Sequence, residues 1–516
     1  MITCLTARFF NAFRQLIKHF FLFIQTKFCN FAVIQIQNNM NTRVVGREQE
    51  IAAISKYIES GRPEFLAIYG RRRVGKTFLV DQVLAKKICF SVSGSYKEPR
   101  NIQLQNFAFE LASRTGNSKT KKLKSWTEAF WELGAYLDAI RKNGQRQIIF
   151  IDELPWLDTP KSGFVRALDY FWNHYASKHN EIMLVACGSA TSWMVNTLIN
   201  DKGGLHNRVT REMHICPFSL NETEQYLKKA GFKWPRYIIA QVYMIMGGVP
   251  YYMDMLSPDE TFSENIDRLF FSPNAQLKSE YGRLYTSLFG RKEKYMSIIS
   301  QLAKCKEGLT LAEIANNLKL QQNGNLSQVL EDLVNCDFLR YYNVKGKNIH
   351  KTGGIYQLVD LFTLFHFAFL TKKSTSAHYW SEKWASQELS TWRGLAFERL
   401  CMSHIQQIKK ALHIDGIYTE HFSWRSKNSE TKAQIDLIIE RADRMTHVCE
   451  MKFAQDSYTI TKKEHDNIRK RIEAYRTETG TKNGMIMTMV TTMGLTKSTY
   501  NCIVDKTICL DDLFMQ

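Results

Sequence analysis

Phe65-Leu66-Ala67-Ile68-Tyr69 is a short apolar run that leads directly into Gly70-Arg71-Arg72-Arg73-Val74-Gly75-Lys76-Thr77. The apolar run predicts a buried strand. The next eight residues have the pattern G-x-x-x-x-G-K-T, in which glycines let backbone N–H groups turn toward phosphates. A helix is expected from Thr77 to Ala85, and its N-terminus favours an anion. The stretch therefore predicts a phosphate-binding loop, or P-loop, in an α/β fold.

The chemistry of this loop assigns a role to its last two residues. Lys76 is expected to reach the β- and γ-phosphates of ATP, and the Thr77 hydroxyl to bind Mg²⁺. A second apolar run, Ile148–Ile151, ends in Asp152-Glu153. Asp152 is expected to hold the Mg²⁺, and Glu153 to polarise the attacking water as a general base. The plainer interpretation is a strand that ends in a solvated acidic turn.

A third apolar run, Ile182–Cys187, leads to Gly188-Ser189. The carboxyl ends of parallel strands line the ligand crevice of such sheets. Ser189 is therefore a candidate to sense the γ-phosphate. Thr191 and Ser192 are alternatives for the same role.

Two arginines follow this run, Arg208 and Arg211. Either is a candidate arginine finger, supplied within the chain or by a neighbouring subunit of a homo-oligomer. Both are equally compatible with ordinary surface charges.

These motifs occur in the order that one known family shows. The full set is Gly46-Arg47-Glu48, the P-loop, Ile151-Asp152-Glu153, Gly188-Ser189, Arg208, Pro217 and Gly247-Gly248-Val249-Pro250-Tyr251-Tyr252. The region from about Val44 to Met255 resembles a prokaryotic ATPase family first described mainly from archaea, which lies between AAA+ ATPases and the signalling ATPases called STAND. The resemblance implies ATP hydrolysis, and a nucleotide-sensing turn at Gly247–Pro250 in a helical lid.

The middle of the chain, Glu293 to Tyr356, predicts a winged helix. Its expected elements are helices at Tyr295–Lys304, Thr310–Leu318 (opened by a Thr310-x-x-Glu313 capping box) and Leu326–Asn335, and wing strands at Phe338–Val344 and Gly354–Leu358, with a basic turn through Lys345, Lys347 and Lys351. A helix of this kind can enter the DNA major groove. Because Glu331 and Asp332 lie on its surface, a role as ATPase lid or subunit contact is the alternative. An apolar helix, Val359–Leu370, is too short to span a membrane.

Three acidic residues and a lysine near the C-terminus form a second candidate site. Glu398 lies in a helix predicted from Gly394 to Ile408, and Asp436 in a strand Gln434–Glu440. Glu450 and Lys452 share one face of the next strand, since side chains alternate. Glu398, Asp436 and Glu450 are candidates to hold one or two Mg²⁺ through hard oxygen ligands, and Lys452 to orient or deprotonate a water. A hairpin with charged rims is the plainer interpretation.

This set resembles the PD-(D/E)XK nuclease fold from Thr391 to about Leu510. Together with the preceding region it also resembles a small C-terminal domain of unknown function that often follows this ATPase. Gln434-Ile435 stand where the pattern has a proline before the aspartate. The resemblance implies metal-dependent DNA cleavage. The charged segment Lys462–Arg476 is a candidate to line a DNA groove or to be a solvated helix face.

Length and composition bound the remaining possibilities. The chain has 516 residues, which at roughly 100–200 residues per domain suggests about three domains. We expect an ATPase with lid at 40–290, a winged helix with linker at 291–375 and a nuclease-like α/β domain at 376–516. A net charge of +19 favours a polyanionic partner such as DNA. The 11 cysteines contain no CxxC pair, which fits a reducing cytoplasm.

Residues 1–39 are basic and contain no acid. They lack a cleavage site and a long apolar span, so we expect neither a signal peptide nor stable membrane association. A start at Met40 is the preferred interpretation, and a membrane-surface helix the alternative.

The sequence therefore predicts an ATP-hydrolysing protein whose nucleotide state controls a DNA-directed, nucleolytic C-terminal module. The alternative is an ATP-dependent regulatory switch whose C-terminal domain only binds.

Overall fold

The structure is a computed structural model, and it describes residues 44–116, 120–142, 144–200, 208–289, 293–342, 354–372, 376–426 and 433–516. The basic extension 1–39 and the basic turn through Lys345, Lys347 and Lys351 lie outside these residues. Within the described ranges, no helix is long and apolar enough to cross a membrane.

A five-stranded parallel sheet forms the first part of the chain. Its strands are β1 (Glu64–Tyr69), β2 (Ile88–Ser93), β3 (Gln147–Asp152), β4 (Ile182–Gly188) and β5 (Arg211–His214). Their order across the sheet is β2-β3-β4-β1-β5, and every neighbouring pair is parallel. The apolar runs of the sequence become strands that are buried on both faces, as parallel sheets require. The predicted α/β class with a P-loop after β1 is confirmed.

Helices cover both faces of this sheet. They span Glu48–Ile58, Lys76–Leu84, Arg100–Thr115, Trp126–Ala139 and Phe164–His174. Alternating side chains of one strand enter separate cores, because successive residues point to opposite faces. Phe65 and Ala67 pack into one core, and Leu66 and Ile68 into the other.

A helical segment follows the sheet, where the lid was predicted. Its helices are Leu220–Lys229, Arg236–Met246, Pro250–Met253, Phe262–Ile266 and Glu280–Phe289. The turn between the second and third of these helices contains Gly247 and Gly248, both with positive φ. A Cβ on Gly248 would lie 2.3 Å from the Phe218 carbonyl oxygen, so only glycine fits there.

The middle region combines helices with a small antiparallel sheet. Its elements are the helices Glu293–Ala303, Leu311–Asn317 and Gly324–Asn335, and the strands β6 (Leu309–Thr310), β7 (Leu339–Tyr342) and β8 (Ile355–Leu358), in the order β6-β8-β7. The predicted capping box at Thr310 is confirmed. The Thr310 side chain accepts a hydrogen bond from the Glu313 N–H, and the Glu313 carboxylate accepts one from the Thr310 N–H. The winged-helix assignment stays a prediction.

The C-terminal region builds a second five-stranded sheet. Its elements are the helices Gln387–Ser403, Ile405–Ala411 and Lys462–Thr479, and the strands β9 (Thr419–Arg425), β10 (Gln434–Arg441), β11 (Met445–Lys452), β12 (Gly484–Thr491) and β13 (Lys506–Cys509). Strands β9, β10 and β11 are antiparallel neighbours, and β12 and β13 add in parallel to β11. The helix that carries Glu398 begins earlier than predicted, because Ser386 caps it by accepting from the Leu389 N–H.

One apolar core joins the lid, the middle region and the C-terminal sheet. Buried residues from Phe218 to Phe514 form a continuous cluster. In it, Leu361–Phe365 packs between the lid helix Arg236–Met246 and the helix Gln387–Ser403. The predicted boundaries at 290 and 375 therefore separate segments that share a core.

Candidate nucleotide site and candidate acidic centre

Both glycines of the P-loop have positive φ, and the backbone of another segment closely approaches the first of them. Gly70 has φ 143°, and a Cβ there would lie 2.3 Å from the Ile215 carbonyl oxygen. Gly75 has φ 88° and precedes the helix Lys76–Leu84. Both positions favour glycine, and the loop ends at the N-terminus of a helix, where an anion is stabilised.

Thr77 meets Asp152, the residue that the sequence placed with it at the Mg²⁺ site, and Lys76 contacts carbonyl oxygens of its own loop. Lys76 is buried, and its ammonium donates to the Gly70 and Arg71 carbonyl oxygens at 2.9 and 2.8 Å. The Thr77 hydroxyl donates to the Asp152 carboxylate at 3.1 Å. Burial lowers the pKa of Lys76, and burial together with Glu153 raises the pKa of Asp152. Adjacent hydroxyl and carboxylate oxygens are hard ligands, so this pair fits Mg²⁺.

Glu153 is held in a strained conformation beside Ser189. Its φ of 44° lies in the left-handed region, which costs a non-glycine residue about 1 kcal/mol or more. The Ser189 hydroxyl and N–H donate to the Glu153 carboxylate at 2.8 and 3.2 Å. Of the three sensor candidates, only Ser189 makes this bond among the described hydrogen bonds. Thr191 is buried, and Ser192 donates to the Asp332 carbonyl oxygen.

The sequence did not identify Gly94, which supports this arrangement from β2. Its N–H donates to the Asp152 carbonyl oxygen at 2.9 Å. A Cβ on Gly94 would lie 2.4 Å from the Glu153 carbonyl oxygen, so a larger residue would displace Glu153. Only the pairing of β2 with β3 brings these residues together.

The two arginine-finger candidates lie at the opposite end of the sheet. Arg211 begins β5, pairs with Glu64 at the start of β1 and stacks on Tyr57. Arg208 is exposed on the turn before β5. Because the P-loop follows the other end of β1, neither guanidinium joins Lys76 or Glu153 in the described ion pairs and hydrogen bonds.

The side chains of two P-loop arginines point away from the phosphate cradle. Arg71 forms an ion pair with Asp360, and the two side chains are only 2% and 1% exposed. Its guanidinium also lies over the Phe338 ring, 5.2 Å from the centroid. Arg73 pairs with the buried Glu280 and stacks on Tyr251 at 4.2 Å. These contacts tie the P-loop to the lid and the middle region.

A large cavity lies beside the P-loop. Its volume is about 650 Å³, and its walls include Arg47, Arg71, Phe218, Asp360 and His404. Arg47 donates to the Cys216 carbonyl oxygen at 2.6 Å and lies over the Phe218 ring. The cavity is thus bounded by the ATPase sheet, the lid, the middle region and the C-terminal region together.

A polar chain lines the junction near this cavity. The Cys216 sulfur lies 3.6 Å from His214 Nδ1, and His214 Nε2 lies 3.0 Å from the Asp337 carboxylate. The Asp337 hydrogen bond, and then that of Cys216, raise the pKa of His214 to about 10. His214 is therefore a cation at neutral pH, paired across the ATPase–middle junction.

The three predicted acids of the C-terminal region lie on elements that pack against one another, a helix and two paired strands. Leu437 pairs with Cys449 in the antiparallel ladder, so Asp436 and Glu450 stand opposite each other one position further along. Burial and then repulsion by Asp436 raise the pKa of Glu398 to about 7. Burial and then repulsion by Glu450 raise the pKa of Asp436. Glu398 and Asp436 therefore each sense the negative charge of a neighbouring acid.

Lys452 also joins this centre. Its ammonium donates to one Glu450 oxygen at 2.8 Å, and Arg471 donates to the other at 2.6 Å. Burial alone would raise the pKa of Glu450, but these two cations lower it below its usual value. The second carboxylate oxygen of Glu398 is buried without a hydrogen-bond partner in the described structure. Two buried carboxylates and the half-buried Asp436, with one oxygen unpartnered, offer the hard oxygen ligands that a divalent cation prefers.

The remaining charges of the helix Lys462–Thr479 face solvent. Lys463, Arg469, Lys470 and Arg476 are exposed, and only Arg471 of the predicted basic set turns to the acids. The helix thus presents exposed cations beside the acidic centre, interspersed with the exposed acids Asp466 and Glu473.

Comparison with known proteins agrees with the first of these sites. Residues 44–256 match a family described as an ATPase domain predominantly from Archaea. An uncharacterized protein of Methanocaldococcus jannaschii is 24% identical over 400 residues, which covers 76% of this chain and 83% of the relative. A Walker-type ATPase of Pyrococcus abyssi is 18% identical and covers 63% of this chain and 96% of its own, with a TM-score of 0.49. The match of residues 44–256 agrees with the archaeal-type ATPase resemblance that the sequence predicted for this region.

Proposed function

We propose that the protein binds and hydrolyses Mg²⁺-ATP, and that its nucleotide state controls a metal-dependent DNA-cleaving centre near the C-terminus. In this proposal residues 40–290 are the ATPase with its lid, 291–375 a winged helix with linker, and 376–516 a nuclease-like domain. The grouping of Glu398, Asp436 and Glu450 on adjacent elements carries the proposal, because burying neighbouring carboxylates is costly unless cations neutralise them.

At the nucleotide site, each residue has a distinct task. The Lys76 ammonium leaves its two loop carbonyls and binds the β- and γ-phosphates. The Thr77 hydroxyl and Asp152 carboxylate hold Mg²⁺, which neutralises phosphate charge when bound. Glu153 accepts a proton from the attacking water. Ser189 holds the Glu153 carboxylate in position through its hydrogen bonds until the γ-phosphate binds.

The P-loop arginines supply a physical route from nucleotide to the rest of the chain. Phosphate binding changes the loop from which Arg71 and Arg73 extend, and their partners Asp360 and Glu280 lie in the middle region and lid. Buried ion pairs tolerate little displacement, because a separated charge stays desolvated. The loop and the middle region therefore move together.

At the acidic centre, the carboxylates bind one or two Mg²⁺ and Lys452 orients the water that attacks the phosphodiester. The succession of a helix, three antiparallel strands, a helix and a parallel strand supports the PD-(D/E)XK assignment. The exposed cations of Lys462–Thr479 suit a DNA backbone, and the net charge of +19 agrees.

The test is a cleavage assay with Mg²⁺ or Mn²⁺, with and without ATP, on single- and double-stranded DNA. Asp436→Ala is the active-site variant, and Asp443→Ala, an exposed acid on the neighbouring turn, is its control. Cleavage that disappears only in Asp436→Ala supports the proposal, and a change with ATP supports the coupling.

The second candidate is an ATP-dependent switch with an inactive C-terminal binding module. It is favoured by one observation: Lys452 and Arg471 already engage both oxygens of Glu450. Intact ATP hydrolysis without cleavage on any substrate would select this candidate. Arg208 would serve either function as a finger only in a neighbouring subunit of a homo-oligomer.

A further inference from the structure

A turn of the middle region reaches into the acidic centre. Lys306 lies between the helix Glu293–Ala303 and β6, and its ammonium is 2.7 Å from one carboxylate oxygen of Glu398. Its charge also acts on Asp436. A positive charge from another part of the chain thus stands beside the acids that were predicted to hold a metal.

The turn is clamped by the helix that it contacts. The Lys306 carbonyl oxygen accepts from the Arg399 guanidinium and, at 2.8 Å, from the Gln357 amide. Arg399 follows Glu398 in the same helix and also donates to the Leu358 carbonyl oxygen at 3.1 Å. The backbone of Lys306 is therefore held while its side chain, 48% exposed, keeps a route to solvent.

A glycine makes this approach possible. Gly308 has φ 79°, and a Cβ there would lie 2.6 Å from the Tyr356 carbonyl oxygen on β8. Any larger residue would push the turn away from β8. The position of Lys306 thus follows from the packing of the middle region.

Lys306 satisfies the acids only in part. It contacts one oxygen of Glu398, and the other oxygen is buried without a partner in the described residues. Lys452 and Arg471 already engage both oxygens of Glu450, so the Lys306 ammonium is one positive charge beside the two other carboxylates, Glu398 and Asp436. A divalent cation has twice that charge and binds several oxygens at once, so it competes for the same carboxylates.

We propose that Lys306 is an internal counter-ion of the acidic centre, and that a divalent cation binds Glu398, Asp436 and Glu450 only when the Lys306 ammonium leaves Glu398. The middle region thereby sets the metal affinity of the C-terminal region. This inference rests on the proposed function only in treating the acids as a cation site, and it does not require cleavage.

The first test measures Mn²⁺ affinity of the full chain from the signal of free Mn²⁺ in electron paramagnetic resonance, without nucleotide at pH 8. Asp436→Ala is combined with each variant to disable the acidic centre. The Mn²⁺ that still binds then belongs to the P-loop site, and it is subtracted from the total. We expect Lys306→Met to bind Mn²⁺ at the acidic centre at least tenfold more tightly than the parent. Lys306→Arg keeps the cation and should keep the parental affinity, as should Lys304→Met, an exposed neighbour.

The second test needs no variant. Acetylation of the parent chain by an activated acetyl ester, followed by mass spectrometry, should modify Lys306 faster at saturating Mn²⁺, relative to Lys304. The proposal would be overturned if Lys306→Met bound Mn²⁺ no more tightly than the parent. It would also be overturned if Mn²⁺ did not change the rate at which Lys306 is acetylated. Altered Mn²⁺ affinity without DNA cleavage would uphold it and reject the nuclease function.

Discussion

Arg71→Met should weaken the junction between the P-loop and the middle region. The substitution keeps an apolar stem against Phe338 but leaves the Asp360 carboxylate buried without its cation. Breaking a buried ion pair from one side costs about 3–5 kcal/mol. Asp360→Asn removes the charge but retains the cap that Asp360 gives to the Thr363 N–H. In the double variant neither charge is buried, so its stability should exceed that of Arg71→Met by about 1–3 kcal/mol.

The assay is urea unfolding followed by tryptophan fluorescence. With a slope of about 3 kcal/mol per M, a loss of 3 kcal/mol lowers the transition midpoint by about 1 M. Lys121→Met is the control, because Lys121 is 57% exposed in its pair with Glu132 and exposed ion pairs contribute little to stability. The reasoning is refuted if Arg71→Met unfolds with the midpoint of Lys121→Met, or if Asp360→Asn lowers the stability of Arg71→Met further.

Three more predictions concern the nucleotide site and its junction. Lys76→Ala should abolish ATP binding, because the loop loses its phosphate-binding charge; titration with a fluorescent ATP analogue tests this, and parental affinity would contradict it. Glu153→Gln should retain ATP but slow hydrolysis about 100-fold or more, and parental phosphate release would exclude Glu153 as the base. Because Asp337, and then Cys216, raise the pKa of His214 from 6.5 to about 10, protonated His214 contributes stability that is fully present below pH 6.5 and is lost as pH rises toward 10. The melting temperature, measured from pH 6 to 10, should therefore change less with pH in His214→Gln than in the parent. An equally steep change in both proteins would reject the pairing.

The P-loop, the acidic end of β3 and the end of β4 were predictable because each is a local pattern. A buried parallel strand needs a continuous apolar run, and a phosphate loop needs its glycines at set spacing. The same holds for the capping box at Thr310 and for Asp436 and Glu450, whose strands alternate in a readable way.

Other residues of the two sites carry no local signal. Asp360 lies 289 positions from Arg71, and Lys306 lies 92 positions from Glu398. Nothing near either residue in the sequence distinguishes it from an ordinary surface charge. Gly94 and Gly308 are equally inconspicuous, because their need for glycine arises from a carbonyl that approaches from another strand.

The sequence therefore predicted on its own where a nucleotide would bind and which acids stand on neighbouring strands, since spacing and periodicity encode both. Only the tertiary structure decided which charges neutralise them. The pairing of Arg71 with Asp360 and of Lys306 with Glu398 depends on how separate segments pack around a shared apolar core. Packing of that kind is set by the shapes of whole surfaces, and no short stretch of residues contains it.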